Sequence, residues 1–293
     1  METLVTESVI FALLSESQRG PRLYGVFPGG RLEEYIEARP LRTQELSDPV
    51  FSARIAEKMA QIHLMDVPIS KQPKWLWQTI QRSITDISRY INDTPNFKLF
   101  CNAQTSCSTN FFRSYLTKVN SPVVFCHNDL QEGNILFRES EGCAKSDKVV
   151  VIDYEYCSYN YRGFDFANHF CEWMYDYTNE EPPYFWEKAD NLATKEQQDY
   201  FFIQYLNSLK SSKDYKYRKH DEVSNLMEET EAFMLASHFF WALWSVVNSS
   251  ASEIMFDYWV LIFIIFNAVG FEKMNEEYIF CFTLFSGLWG GSI

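Results

Sequence analysis

Two short apolar runs, VVFC (123–126) and VVVI (149–152), each lead to an aspartate. The first continues through His127-Asn128 to Asp129, and the second runs straight into Asp153. A third run, ILF (135–137), lies between them. Apolar residues in unbroken rather than alternating order predict strands buried on both faces. The end of such a strand holds a polar side chain rigidly at the rim of a core. Asn134 stands five residues after Asp129. An Asp base, an Asn and a second Asp suit phosphoryl transfer, where catalysis is mainly positioning and charge stabilisation. Asp129 can accept the proton of an attacking hydroxyl. Asn134 and Asp153 are hard oxygen ligands for Mg2+, which bridges nucleotide phosphates. Either aspartate alone reads equally well as a turn residue closing its strand. The whole set at this spacing favours the chemistry.

Around this segment the pattern predicts an α+β chain with a small N-terminal α/β piece and a larger, helix-rich lobe. Residues 7–15 are apolar at helical spacing (Val9, Ile10, Leu13, Leu14), and Arg19-Gly20-Pro21 ends that helix. Residues 23–27 predict a strand closed by Pro28-Gly29-Gly30, with 31–36 as its hairpin partner. Residues 43–63 read as one helix with Ile55, Met59 and Ile62 on one face. A Pro/Trp-rich loop over 68–77 leads into a helix ending at Tyr90. A polar loop over 93–108 and a helix over 111–119 follow. From Gln197 onward the pattern is mostly helical, including 222–247. The apolar run from Trp259 to Val269 is about 11 residues long, short of the roughly 20 that a membrane span needs, and predicts a buried helix or strand. A second apolar stretch, 278–284, is also too short to span.

Composition narrows the partners. The net charge of −13 excludes a basic nucleic-acid-binding face. Seven cysteines without a CxxC pair, and an N-terminus without a basic leader, predict free thiols and a cytoplasmic location. At 17% the aromatic content is high, so part of it is available for a binding surface.

The pattern H-N-D-x-x-x-x-N followed by I-D resembles the catalytic loop and metal-binding Asp of kinase-like enzymes. More narrowly, VVFCHNDLQEGNIL, VIDYEYCSYNYRGFDFANHFCEWMYDY and ASHFFWALWSV resemble the choline/ethanolamine kinases over about residues 7–259. Gln131-Glu132-Gly133 and the stretch Cys171-Glu172-Trp173 to Tyr177 lean toward the choline kinase branch. The resemblance implies a protein-kinase-like two-lobed fold and ATP-dependent phosphorylation of choline, and of ethanolamine as an alternative substrate. It implies Asp129 as catalytic base, Asn134 and Asp153 as Mg2+ ligands, and Glu155 as a supporting carboxylate. Glu172, Tyr177, Trp241 and Trp244, with Gln131, would form the substrate site. That assignment is physically sensible, because a trimethylammonium group donates no N–H and is held by aromatic faces beside a carboxylate. Trp241 and Trp244 share a helix face at this spacing; without the motif they would read as core. His127 is expected to shape the loop, His169 to tie the structure together, and Asp165 to brace the catalytic loop.

The sequence also departs from the family. Relatives carry a phosphate-covering loop and an ATP-contacting lysine ahead of the helix that matches 7–15. Residues 1–38 are therefore expected to form a partial nucleotide lobe with weakened or lost ATP affinity, in which Glu7 lacks its cation. The hinge, Glu34-Tyr35-Ile36, is expected to present backbone groups to adenine. Residues 39–259 form the catalytic lobe, and 260–293 a divergent apolar tail. Leu261 falls where the family places a Tyr, so one wall of the cation site is expected to be missing. The family commonly dimerises, which implies a homodimer or a heterodimer with a family member. An impaired form acting as a dimer partner, and a kinase for another small-molecule hydroxyl, stand as alternatives. The paired Trp residues and Glu172 weigh against the latter.

Overall fold

The structure is a computed structural model that describes residues 2–90, 113–139, 148–252 and 254–268. The first helix, α1 (Glu2–Glu16), buries Ile10, Phe11 and Leu14. Strands β1 (Leu23–Phe27) and β2 (Gly30–Glu33) form the expected antiparallel hairpin, with Phe27 opposite Gly30. Gly29, at φ 92°, takes the left-handed turn position that glycine adopts without strain. The second strand ends at Glu33, shorter than the sequence pattern suggested.

The single helix expected over 43–63 is two. A short α2 (Thr43–Leu46) is followed by α3 (Pro49–His63). The reason is local. Pro49 disfavours helical backbone at the residue before it, and Asp48 sits at ψ 128°. The Asp48 carboxylate accepts from the N–H groups of Val50 (2.8 Å) and Phe51 (3.3 Å), so it caps a new helix. The face of α3 that carries Ile55, Met59 and Ile62 is buried as expected.

Strand β3 (Arg39–Pro40) pairs with β5 (Ile135–Phe137), which pairs with β6 (Val149–Val151). Separately, β4 (Val123–Cys126) pairs antiparallel with β7 (Ser158–Tyr161). The expected 93–108 loop lies outside the described residues, as do Phe111 and Phe112 of the helix expected over 111–119. Residues 113–116 of that stretch are helical.

The helical lobe surrounds these strands. It comprises α4 (Lys74–Tyr90), α5 (Arg162–Glu172), α6 (Lys195–Ser211), α7 (Val223–Ala251) and α8 (Tyr258–Ala268). Helix α3 packs on α6, whose Phe201, Phe202 and Tyr205 are fully buried. Helix α5 crosses α7 so closely that a Cβ on Gly163 would meet Phe233 Cδ2 at 2.7 Å. The apolar run resolves into α8, with Leu261, Ile262 and Ile265 buried. No helix among the described residues is long and apolar enough to cross a membrane.

Two buried polar features join separate elements of the lobe. Arg162, 0% exposed, begins α5. Its Nη1 donates to Asp221 Oδ1 (2.5 Å), and its Nη2 and Nε donate to the Glu229 carboxylate (2.6 and 3.1 Å). Glu132 is buried against α2. Its Oε1 accepts from Thr43 Oγ1 at 3.2 Å, while Oε2 has no hydrogen-bond partner among the described residues. Burial pushes this carboxyl up to about 7.

Arg162→Met leaves two buried carboxylates without their cation and should cost about 3–5 kcal/mol in chemical denaturation. Glu132 carries the opposite sign. Its folded-state value is raised, so it costs nothing at pH 4 and progressively destabilises the fold as pH rises toward about 7. Glu132→Gln should therefore stabilise the chain at pH 8 by roughly 2–3 kcal/mol and leave it unchanged at pH 4, read from denaturation midpoints at the two pH values.

Candidate active site

The loop between β4 and β5 begins with a residue in a demanding conformation. Asn128 has φ 69°, in the left-handed region that asparagine tolerates better than most residues. Three sets of hydrogen bonds hold it there. Its N–H donates to Asp165 Oδ1 (2.7 Å), its Nδ2 to Tyr156 O (2.8 Å), and its Oδ1 accepts from Asn160 Nδ2 (2.8 Å). Asp165, in the first turn of α5, also accepts from the His127 N–H at 3.0 Å, which is the bracing expected of it.

The His127 ring ties the two aspartate-bearing segments together. Nε2 donates to Ile152 O (3.0 Å), and Nδ1 accepts from the Asp129 N–H (3.3 Å). Burial lowers its pKa, so the ring is neutral and positions the loop. His169 is also buried and neutral, lowered to about 4, with Nδ1 on Leu130 O at 2.9 Å.

Sequence reasoning missed His63. Its Nε2 meets Asp165 Oδ2 (2.9 Å), and its Nδ1 meets Tyr205 Oη (2.8 Å). Burial lowers the imidazole pKa, so the neutral ring donates to Asp165 and accepts from Tyr205. Burial works to raise the Asp165 carboxyl, but the His63 hydrogen bond and the His127 contacts outweigh it and hold it below its usual range. Cys126 lies close by, and His63, Cys126 and Asp165 offer converging donor atoms. Both ring nitrogens of His63 and both Asp165 oxygens are already hydrogen-bonded, so the trio reads as a structural knot.

Asp129 and Asn134 come together as their spacing suggested. Asn134 Nδ2 donates to Asp129 Oδ2 (3.0 Å) and to Asp129 O (2.9 Å). That leaves the Asn134 oxygen as the atom able to face a cation. Burial, reinforced by the charge of Asp153, pushes the Asp129 carboxyl up to about 7 against the Asn134 hydrogen bond. Asp153 has φ 61° and follows β6 and Ile152, whose N–H donates to Asn134 O at 3.0 Å. The Asn134 amide oxygen and the Asp153 carboxylate, near the Asp129 carboxyl, are a donor set that fits Mg2+.

Asp129 opens onto a cavity of about 280 Å³. Gln131, Glu172, Tyr177, Trp241 and Trp244, all expected in the substrate site, line it. Six aromatic rings follow one another around it. Centroid separations are 5.9 Å for Tyr156–Trp241, 5.4 Å for Trp241–Trp244 and 5.7 Å for Trp244–Tyr258. The series closes with Phe256–Tyr258 at 5.0 Å and Tyr177–Phe256 at 6.3 Å. Polar tips are tied down, so ring faces remain for a ligand. Trp241 Nε1 donates to Asn168 Oδ1 (2.5 Å), and Trp244 Nε1 to Tyr156 Oη (3.1 Å). At the end of α5, Glu172 Oε2 accepts from Tyr177 Oη at 3.0 Å. Burial, then the charges of Asp129 and Glu132, push the Glu172 carboxyl well above its usual range. Gln131 is spent partly on the backbone, its Oε1 accepting from Gly133 N–H at 2.7 Å.

Several expectations need correction or addition. The wall expected to be missing is present. Helix α8 brings Leu261 and Ile265 to the cavity, so that side is aliphatic rather than open. Residues 269–293 of the expected tail lie outside the described residues. Glu7 does not lack a cation. The hairpin sets Arg31 beside α1, where its Nη1 meets Glu7 Oε1 at 2.6 Å, while the same guanidinium pairs with Glu33 and lies over Phe11. Tyr156, Phe256 and Tyr258 were not singled out. Their signal was aromatic spacing, one aromatic on either side of a charged residue in Tyr154-Glu155-Tyr156 and Phe256-Asp257-Tyr258. The hinge residues do not line this cavity. The Glu34 N–H donates to Arg22 O (2.8 Å), Tyr35 is 89% exposed, and Glu34 and Ile36 border a separate polar cleft.

Comparison with known proteins identifies the family. A family model described as Choline/ethanolamine kinase matches residues 1–267. A human choline/ethanolamine kinase is 46% identical over 260 residues, covering 88% of this chain and 65% of the relative. Mouse choline kinase alpha is 43% identical over 272 residues, covering 88% of this chain and 58% of its own length. The chain thus spans less than two thirds of these relatives. Among solved structures, choline kinase from Cryptosporidium parvum superposes with a TM-score of 0.73 at 25% identity, over 97% of this chain and 79% of that one. The protein-kinase-like fold is thereby shared, and the chain belongs to the choline/ethanolamine kinase family.

Proposed function

We propose that the chain phosphorylates choline with ATP, giving phosphocholine and ADP, and that ethanolamine is its secondary substrate. The observation that carries this reading is the ring of six aromatic side chains that shares one cavity with the buried Glu172 and with Asp129. A quaternary ammonium offers no hydrogen-bond donor. Each aromatic face can contribute about 0.5–2 kcal/mol to holding it, and a carboxylate neutralises its charge. The lining is mostly ring faces, which suit a trimethylammonium group.

In this reading Glu172 and the rings hold the cationic head, and the hydroxyl end reaches Asp129. Asp129 takes the hydroxyl proton as the oxygen attacks the γ-phosphorus and ADP leaves. A carboxyl raised to about 7 is well matched to that task near neutral pH. Asn134 keeps Asp129 oriented, and with Asp153 it would hold Mg2+, which neutralises charge on the transferring phosphoryl group when bound. His127 and Asp165 fix the loop. A cytoplasmic location and pairing with another family subunit complete the reading.

A coupled ADP-release assay with Mg-ATP tests it. Choline-dependent turnover should fall at least 1,000-fold in Asp129→Ala, while the variant still binds choline. Binding without turnover in the parent chain would instead support an impaired family member that acts as a subunit partner. The cavity also makes a pH prediction. A bound cation favours the ionised Glu172, whose carboxyl is raised in the free chain. Choline binding should therefore release a proton and tighten as pH rises, measured by calorimetry in buffers of different ionisation enthalpy. Glu172→Gln should weaken binding and flatten that dependence. Trp244→Ala should weaken choline roughly tenfold and remove its protection against thermal unfolding.

A further inference from the structure

From its first turn onward, helix α5 carries four buried polar side chains on one face. They are Asp165, Asn168, His169 and Glu172, at the i, i+3, i+4 and i+7 positions. Asp165 braces the catalytic loop, His169 holds Leu130 O, and Glu172 lines the cavity. Asn168, between them, is 0% exposed and does not line the cavity. Its amide is nonetheless used in a directed way. Trp241 Nε1 (2.5 Å) and Ser237 Oγ (2.9 Å) both donate to Asn168 Oδ1. An indole N–H can only donate, so the amide atom that faces it is the oxygen. That orientation leaves Nδ2 without a hydrogen-bond partner among the described residues. Burying an unpaired donor disfavours the fold. A leucine of similar size would avoid that cost and would remove the acceptor. What the amide supplies here is one oxygen at the point where the Trp241 N–H ends.

Trp241 needs such an anchor. Its indole meets Tyr156, Phe240 and Trp244 at interplanar angles of 86°, 87° and 73°, so all three neighbours touch it edge to face. The χ2 torsion of an aromatic side chain is broad, and edge contacts define a ring plane less sharply than a directed hydrogen bond does. Trp241 is half-buried and borders the cavity beside Trp244. Its plane therefore decides whether a π face or a ring edge meets a cation. The face attracts a cation, whereas the edge carries the positive end of the quadrupole and repels it.

Building on the choline kinase reading, we propose that Asn168 is a positioning residue for the quaternary ammonium: through the Trp241 N–H its oxygen holds the indole face toward the cavity, so choline affinity depends on a side chain that does not touch choline. Because α5 also carries Asp165 and Glu172, one rigid helix sets the catalytic loop, the carboxylate and the ring plane in a common frame.

Titration calorimetry with choline on the full chain tests this through a double-mutant cycle, without relying on turnover. Asn168→Leu keeps the volume and deletes the acceptor. Trp241→Phe keeps an aromatic ring and deletes the N–H. Asn168→Leu should weaken choline about tenfold in the parent chain, the loss of roughly one aromatic face. In the Trp241→Phe background it should weaken choline less than about twofold further, because the bond it removes is already gone. Asn168→Asp keeps an oxygen in place and should bind choline within about threefold of the parent. A role in packing alone would lower the unfolding midpoint of Asn168→Leu and give the same loss of affinity in both backgrounds. Where Asn168→Leu does not fold, Asn168→Ala takes its place in the cycle. The proposal falls if the folded variant binds choline within about twofold of the parent, or if its loss is equal in the two backgrounds. It also falls if Asn168→Asp loses as much affinity as the variant without an acceptor. If the parent binds choline and the cycle fails, only the role of Asn168 is wrong; if the parent does not bind choline, the choline kinase reading falls with it.

Discussion

One buried carboxylate organises the site. Asp165 receives the N–H groups of His127 and Asn128 at 3.0 and 2.7 Å and the ring of His63 at 2.9 Å. Each donor comes from an element that must be placed for Asp129 to work. His127 and Asn128 start the loop, and His63 ends α3. An isolated buried carboxylate would be prohibitively costly or would take up a proton. Three directed donors hold Asp165 ionised, and that charge fixes the left-handed Asn128, which aims the next residue, Asp129, into the cavity. The loop is thus rigid because its backbone donors end on a charge. Charge-assisted bonds of this kind are roughly twice as strong as neutral ones.

The same low-polarity surroundings act in opposite directions on the carboxyls. Asp165 is paired and held below its usual range, whereas Asp129, Glu132 and Glu172 are pushed up by burial. The difference is donors. Asn134 gives Asp129 one strong bond, and Tyr177 gives Glu172 one. A region with several under-compensated carboxyls, lined by aromatic faces, is selective for cations before any detail of shape is considered.

How much of this was legible depended on distance along the chain. Asp129, Asn134 and Asp153 sit within one strand–turn–hairpin segment, so their spacing carried the geometry. Trp241 and Trp244 were legible because three residues along a helix share a face. His63 was not, since its partner lies 102 residues away and it reads as one more core position on α3. The Arg31–Glu7 pair was hidden for a related reason. The hairpin was foreseen, but not which of its side chains would meet α1. Splitting the 43–63 helix, by contrast, needed only Asp48-Pro49, a local signal outweighed by the apolar period on either side. The roles of Phe256 and Tyr258 are masked in the sequence by the apolar run that follows them.

That run has a structural reason to be apolar. Helix α8 packs one side against α7 and presents Leu261 and Ile265 to the cavity, so a polar residue on this side would need a partner that the neighbouring Ala242 and Phe185 do not offer. An aliphatic wall also keeps water away from the back of Trp241 and Trp244, and excluding water strengthens every charge interaction inside. The proposed cation site therefore depends on α8 in two ways. Tyr258 and the neighbouring Phe256 complete the ring, while Leu261 and Ile265 lower the polarity behind it. A ring carrying a Tyr at position 261 would add one more aromatic face and close the space behind it. With Leu there, this chain gives up that face and keeps the volume.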